Sequence, residues 1–163
     1  METDFQGLIR ILTLGGVKFI VVGGVAAVAH GSARVTSDLD IVYGRDDQNI
    51  SGLVAALANL NPYPRGAPPG LPFHWDAETI RKGLNFTLTT ALGSLDLLGE
   101  ITGGGNFDDL LPHSLLVKLD GTDCLCLDLD WLIKVKRAAG RPKDFEAVAE
   151  LEAIEEERRN LAS

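Results

Sequence analysis

Residues 18–41 read KFIVVGGVAAVAHGSARVTSDLDI. The opening run over 18–22 is apolar and β-branched after Lys18, the pattern of a strand buried on both faces of a sheet. Gly23 and Gly24 punctuate it, residues 25–30 are compact and helix-compatible, and Gly31 and Ser32 stop that helix. Leu39, Asp40, Ile41 and Val42 resume a strand. On it Asp38 and Asp40 stand at i and i+2, so both carboxylates leave the same face, roughly 6–7 Å apart at the backbone.

Outward from this unit the pattern is mixed. Phe5, Leu8, Ile9 and Leu12 keep helical spacing until Gly15 and Gly16. Ile50, Leu53, Val54, Leu57 and Leu60 form the next stripe, after Asp46 and Asp47. Residues 61–73 hold five of the seven prolines and read as a loop, long enough to be a lid or specificity insert. Asp76 caps a short helix that Gly83 ends, and strands follow over 85–90 and 94–98. Residues 103–106 read as a flexible turn. Strands over 115–119 and 123–127 flank Asp120 and Gly121, a favoured hairpin pair. Asp128 caps a helix carrying Leu129, Leu132, Ile133 and Lys136 on one side, which Gly140 and Pro142 stop. A last helix from about 143 has Phe145, Val148, Ala149 and Leu151 as its apolar side. The expectation is one α+β domain over 1–163, a small mixed β-sheet flanked by helices, with C-terminal helices from about 129.

Composition narrows the function. The chain has 163 residues, 45% of them hydrophobic, enough apolar surface to offset the loss of chain entropy, so disorder is excluded. No apolar run approaches the ~18 residues of a membrane span. The start lacks a basic and apolar leader, and Cys124 and Cys126, one residue apart, suit neither a zinc knuckle nor a disulfide staple. Both point to a cytoplasmic protein with buried thiols. The net charge of −8 argues against a general nucleic-acid coat and leaves room only for a local basic patch.

Asp38 and Asp40 suit the clamping of one or two divalent cations of the kind used for in-line phosphoryl or nucleotidyl displacement. Gly23 and Gly24, having no side chains, let backbone N–H groups and a helix N-terminus approach a triphosphate. A third carboxylate is needed from a neighbouring strand, as ligand or as general base. Asp96 is the candidate, since Leu95 and Leu97 face the core and turn it to the opposite side. Arg34, in the loop before the acid pair, is placed for a paired hydrogen bond to phosphate. Lys134, Lys136, Arg137, Arg141 and Lys143 form the one dense basic cluster, explicable as helix-end charges or as a binding groove. Asp144 caps the last helix or joins the chemistry. His30 reads as a locally satisfied helix end, and Trp75, beside His74, as a packing residue.

The glycine pair, the spacer and Asp38-Leu39-Asp40-Ile41 resemble the signature of the DNA polymerase β-like nucleotidyltransferase superfamily. More narrowly, residues 23–40 and the tail over 134–144 resemble minimal bacterial nucleotidyltransferases grouped with AbiEii-type toxins of toxin–antitoxin systems. The resemblance implies Mg²⁺, or Mn²⁺, at Asp38 and Asp40 with Asp96 as third acid. It places the triphosphate of an NTP against Gly23 and Gly24 with Ser32 or Arg34 nearby, and a nucleotide-contacting lysine at Lys136. It implies transfer of a nucleoside monophosphate to RNA, tRNA-like, or to a protein, with an antitoxin as possible partner. A small hydroxylated acceptor also fits a chain of this size. Where the family often has Ser, this chain has Gly24, one hydroxyl fewer at the phosphate site. The competing reading is a non-catalytic nucleotide- or antitoxin-binding module of the same fold.

Overall fold

The protein, described by a computed structural model over residues 2–162, is built on a seven-stranded mixed sheet. Helix α1 (Phe5–Leu14) leads into β1 (Phe19–Val22), α2 (Gly23–Ala29), β2 (Asp38–Tyr43) and α3 (Asp47–Leu57). The short strand β3 (Tyr63–Pro64) and helix α4 (Ala77–Lys82) precede β4 (Asn85–Thr90) and β5 (Gly93–Leu98). A small ribbon of β6 (Glu100–Ile101) and β7 (Gly105–Asn106) leads to α5 (Phe107–Leu110), then β8 (Ser114–Leu119), β9 (Thr122–Leu127), α6 (Leu129–Ala139) and α7 (Pro142–Ala162). The strand order is β3-β4-β5-β2-β1-β9-β8. Strands β2 and β5, and β1 and β9, pair in parallel; the remaining neighbours are antiparallel.

Alternation along β2 and β5 sends Leu39, Ile41, Leu95 and Leu97, all fully buried, to one face and the three acids to the other. Helices α1, α3 and α4 pack together in one layer, and α2, α6 and α7 in the other. Lys136 of α6 shares a cleft with the acids, so the second layer lies on their side of the sheet. Helix starts follow the expected chemistry: Asp76 accepts from Thr79 N and Asp128 from Trp131 N, and Gly140 ends α6 with φ 69°. Cys124 and Cys126 are buried, and burial pushes their thiols up to about 11 and about 12.

Three expectations need correction. The stretch 61–73 is not all loop: Tyr63 and Pro64 pair with β4, which a proline permits because β3 is an edge strand and needs no donor on its outer side. The glycine turn at 103–106 contributes β7, and glycine is required at 103 because a Cβ there would overlap Ala138 of α6. On α7, Phe145 is 54% exposed and Asp144, one residue earlier, points inward at 1%. Asp144 turns in because it accepts the backbone N–H of Arg141 at the helix entry (3.1 Å), leaving Val148 and Leu151 to supply the apolar side.

Asn49 ties the sheet to α3. Its Oδ1 accepts from Lys18 N (2.7 Å), and its Nδ2 donates to Lys18 O (3.0 Å) and Gly44 O (2.7 Å), inside a site only 4% exposed. Asn49→Ala strands Lys18 N and Gly44 O, Lys18 O keeping the Gly44 N–H (3.1 Å), at roughly 1–3 kcal/mol each before relaxation, so a net loss of about 2 kcal/mol is expected in urea unfolding. A loss below about 0.5 kcal/mol would show that water replaces the side chain at no cost.

Candidate active site

Parallel pairing of β2 with β5 sets Asp40 directly opposite Asp96 and Asp38 opposite Ser94, while antiparallel pairing sets Val22, the last residue before the glycines, opposite Asp40. The acids and the glycine turn therefore meet by backbone register alone. Gly23 has φ +68°, and a Cβ there would overlap Asp40 Oδ2. Gly24 lies against Thr36, whose Oγ1 would be 2.5 Å from a Cβ at that position. The two glycines thus admit the Asp40 carboxylate and the Thr36 hydroxyl to the head of α2. No side chain caps that helix end.

Asp40 is half-buried, and its Oδ1 is buried without a hydrogen-bond partner among the described residues. Burial, then the charge and hydrogen bond of Asp96, then the charge of Asp38 raise its carboxyl to about 7, against a weaker pull from Lys136. Asp38 and Asp96 are both ion-paired to Arg65: Nη1 lies 3.1 Å from Asp38 Oδ1, and Nη2 contacts Asp96 Oδ1. Arg65 directly follows β3, and its backbone N–H bonds Thr87 O (2.9 Å) on β4, the residue opposite Asp96. The sheet continues through β3 to aim this guanidinium at the acids.

A cleft of about 370 Å³ opens over the acids. It is lined by Gly24, Asp38, Asp40 and Asp96 on one side and by Lys136, Arg141 and Lys143 on the other. Asp144 organises the basic wall. It accepts from Arg141 Nε at 2.7 Å and lies 3.9 Å from Lys136 Nζ, and the Arg141 guanidinium holds its carboxyl below the usual range. A second cleft of about 420 Å³ meets the first at Asp40, Lys136 and Arg141, and is walled by Val22, Leu98, Ile101, Leu132 and Val135.

The other candidates divide. Ser32 and Arg34 line the first cleft but are engaged there: Ser32 Oγ donates to Glu150 (2.6 Å), and Arg34 lies 3.6 Å from Glu150 and 3.8 Å from Glu146. The basic cluster does not form one groove. Lys134 sits over the Trp131 ring (4.2 Å) and Arg137 pairs with Glu152, away from the acids. His30 is structural, with Nε2 2.8 Å from Leu127 O and Nδ1 facing Arg158. Trp75 is structural too, donating to Val54 O on α3. Arg65 and Glu150 escaped sequence reading. The one available signal was that Arg65 is the sole charged residue in 61–73.

The donor chemistry fits a hard divalent cation: carboxylate oxygens on one face, one of them a buried orphan. Among the described residues no three His, Cys, Asp or Glu side chains are spaced to hold an ion as they stand, and Asp38 and Asp96 are both engaged by Arg65.

No protein-family profile matches the chain, and no curated protein matches it in sequence. Solved structures do match. The chain is similar to the lincosamide antibiotic adenylyltransferase LnuA, solved with lincomycin bound, at 16% identity and TM-score 0.59 over 94% of this chain and 99% of that one. It is also similar to a candidate nucleotidyltransferase from Thermotoga maritima (14%, TM-score 0.57, 88% and 87%). A third likeness is to an antigenic nucleotidyltransferase-like protein from Paracoccidioides brasiliensis (14%, TM-score 0.55, 89% and 72%). The α+β fold is that of the nucleotidyltransferases.

The Asp40 carboxyl binds its proton more tightly folded, at about 7, than unfolded, near 3.8. Its contribution to stability is therefore complete below about 4 and lost as pH rises through about 7. In EDTA, Asp40→Asn should melt several degrees above wild type at pH 8 and by a clearly smaller margin at pH 5, at roughly 2–4 °C per kcal/mol for a chain this size. Equal melting at both values would refute the shift. Gly23→Ala combines left-handed backbone, about 1–2 kcal/mol, with overlap on Asp40, and should lower the melting temperature by several degrees in thermal scans.

Proposed function

We propose that this protein is a divalent-cation-dependent nucleotidyltransferase that moves a nucleoside monophosphate from an NTP to an acceptor hydroxyl, releasing pyrophosphate. One observation carries the reading: Asp40 and Asp96, opposed by sheet register, share a face with Asp38 and border a glycine-headed helix end and a basic wall, on a nucleotidyltransferase fold. Asp38, Asp40 and Asp96 would hold Mg²⁺ or Mn²⁺, which when bound supplies positive charge at the phosphate under attack. Asp96 is also placed to take the proton of the acceptor hydroxyl. Gly23 and Gly24 present backbone N–H groups to the phosphates, while Lys136 and Arg141, steadied by Asp144, neutralise the pyrophosphate as it leaves. Ser32 and Arg34, braced by Glu150, border the same cleft.

For the acceptor, a small hydroxylated molecule is favoured. The chain carries −8, its basic cluster is split, and the second cleft beside Asp40 is half apolar and of small-molecule size. LnuA, whose structure holds lincomycin, is matched over 99% of that chain. The second reading, an RNA or protein acceptor with an antitoxin partner, rests on the resemblance of 23–40 and 134–144 to the AbiEii group.

The test is to incubate purified protein with each α-labelled NTP, Mg²⁺ or Mn²⁺, and in turn RNA, cell protein and a panel of hydroxylated small molecules. Label should move to the small-molecule fraction in wild type and not in Asp38→Ala. Asp96→Asn should slow transfer by about 10²–10⁴-fold. Label on RNA or a protein band would select the second reading; unchanged transfer in Asp38→Ala would refute the site. NTP binding without transfer to any acceptor would leave a non-catalytic module.

A further inference from the structure

Arg65 raises a question of charge. Among the described residues it is the one cation whose ion pairs include Asp38 and Asp96. Of the other cations of the cleft, Lys136 and Arg141 are committed to Asp144 and Arg34 to Glu146 and Glu150. A divalent cation needs carboxylate oxygens at about 2.1 Å for Mg²⁺. The guanidinium already sits on Oδ1 of both acids, and two cations sharing those oxygens repel one another.

The segment behind Arg65 is tied within itself. Tyr63 Oη donates to Pro68 O (2.5 Å) and accepts from Leu71 N (3.2 Å), so the loop closes on itself. Residues 68–72 are exposed, and Gly66 and Gly70, at positive φ, have open space around them. Its ties to the body are the β3 pairing, the Arg65 N–H bond to Thr87 O, the Phe73 packing and the Arg65 ion pairs.

We infer that Arg65 is a latch: it holds Asp38 and Asp96 when no cation is bound, yields them to a divalent cation, and in doing so frees the 65–73 segment from the acids and exposes Asp96 to an acceptor. The inference rests on the reading of these acids as cation ligands. Cation binding and loop release are then one equilibrium, and the apparent affinity for the ion is reduced by the fraction of molecules that are unlatched.

Mn²⁺ alone is the probe, titrated calorimetrically into the full-length wild type, Arg65→Gln, Arg65→Lys and Asp38→Asn, with amide hydrogen exchange on the same samples. Arg65→Gln should bind Mn²⁺ about tenfold more tightly, the factor for a site latched roughly 90% of the time. Saturating Mn²⁺ should speed exchange at 65–73 in wild type to the rate Arg65→Gln shows without it. Arg65→Lys, whose single ammonium cannot fork to both acids, should lie between, and it carries the test if Arg65→Gln does not fold. Equal or weaker binding by the Arg65 variants, or exchange at 65–73 unmoved by Mn²⁺, overturns the latch and makes Arg65 a fixed brace. Undiminished Mn²⁺ binding by Asp38→Asn overturns instead the cation-site reading beneath it.

Discussion

Three carboxylates on one sheet face are the constraint to which this structure answers. Strands β2 and β5 run parallel and in register, so Asp40 and Asp96 stand at neighbouring-strand distance with Asp38 two residues away. Two such charges about 5 Å apart repel by roughly 3 kcal/mol at an effective dielectric near 20, a large share of the stability of a domain this size. The chain relieves the strain twice. Burial and the neighbouring acids raise the Asp40 carboxyl so that it holds its proton longer, and Asp38 and Asp96 share the Arg65 guanidinium. Both reliefs would be undone by the divalent cation proposed for this site.

The same economy shapes the opposite wall. Asp144 is almost wholly buried at the elbow between α6 and α7, where it closes the entry of α7 and anchors Arg141 and Lys136. One carboxylate thus ends a helix, joins two helices and points two cations toward the cleft. Glu150, two turns further along α7, holds Ser32, the Ala33 backbone and Arg34, fixing the loop that delivers β2. The long α7 helix is therefore less a cover for the core than the beam against which the basic side of the cleft is braced.

Much of this was legible in linear order because it is local. An unbroken β-branched run, a glycine pair and alternating Asp-Leu-Asp-Ile need only the periods of strand and helix to be interpreted, and they placed Asp38, Asp40 and Asp96 on a common face. Helix caps at Asp76 and Asp128 and the stop at Gly140 are equally local, each a side chain or glycine acting within three residues. Phe145 misled because apolar spacing on α7 ignores the pull of Arg141 N–H, which turned Asp144 inward instead.

Arg65 was beyond such reading. Its sequence neighbours are prolines and glycine, with no period to assign it a face, and it lies 27 residues from Asp38 and 31 from Asp96. Only the pairing of β3 with β4, and of β4 with β5, carries it to the acids. Likewise the five basic residues over 134–143 are alike in sequence, yet the rotation of α6 and the bend at Gly140 send Lys136 and Arg141 to the cleft and Lys134 and Arg137 away. Side-chain periodicity set which residues share a strand face or a helix side. Strand order and helix docking set which of those faces meet, because they depend on contacts between segments far apart in the chain.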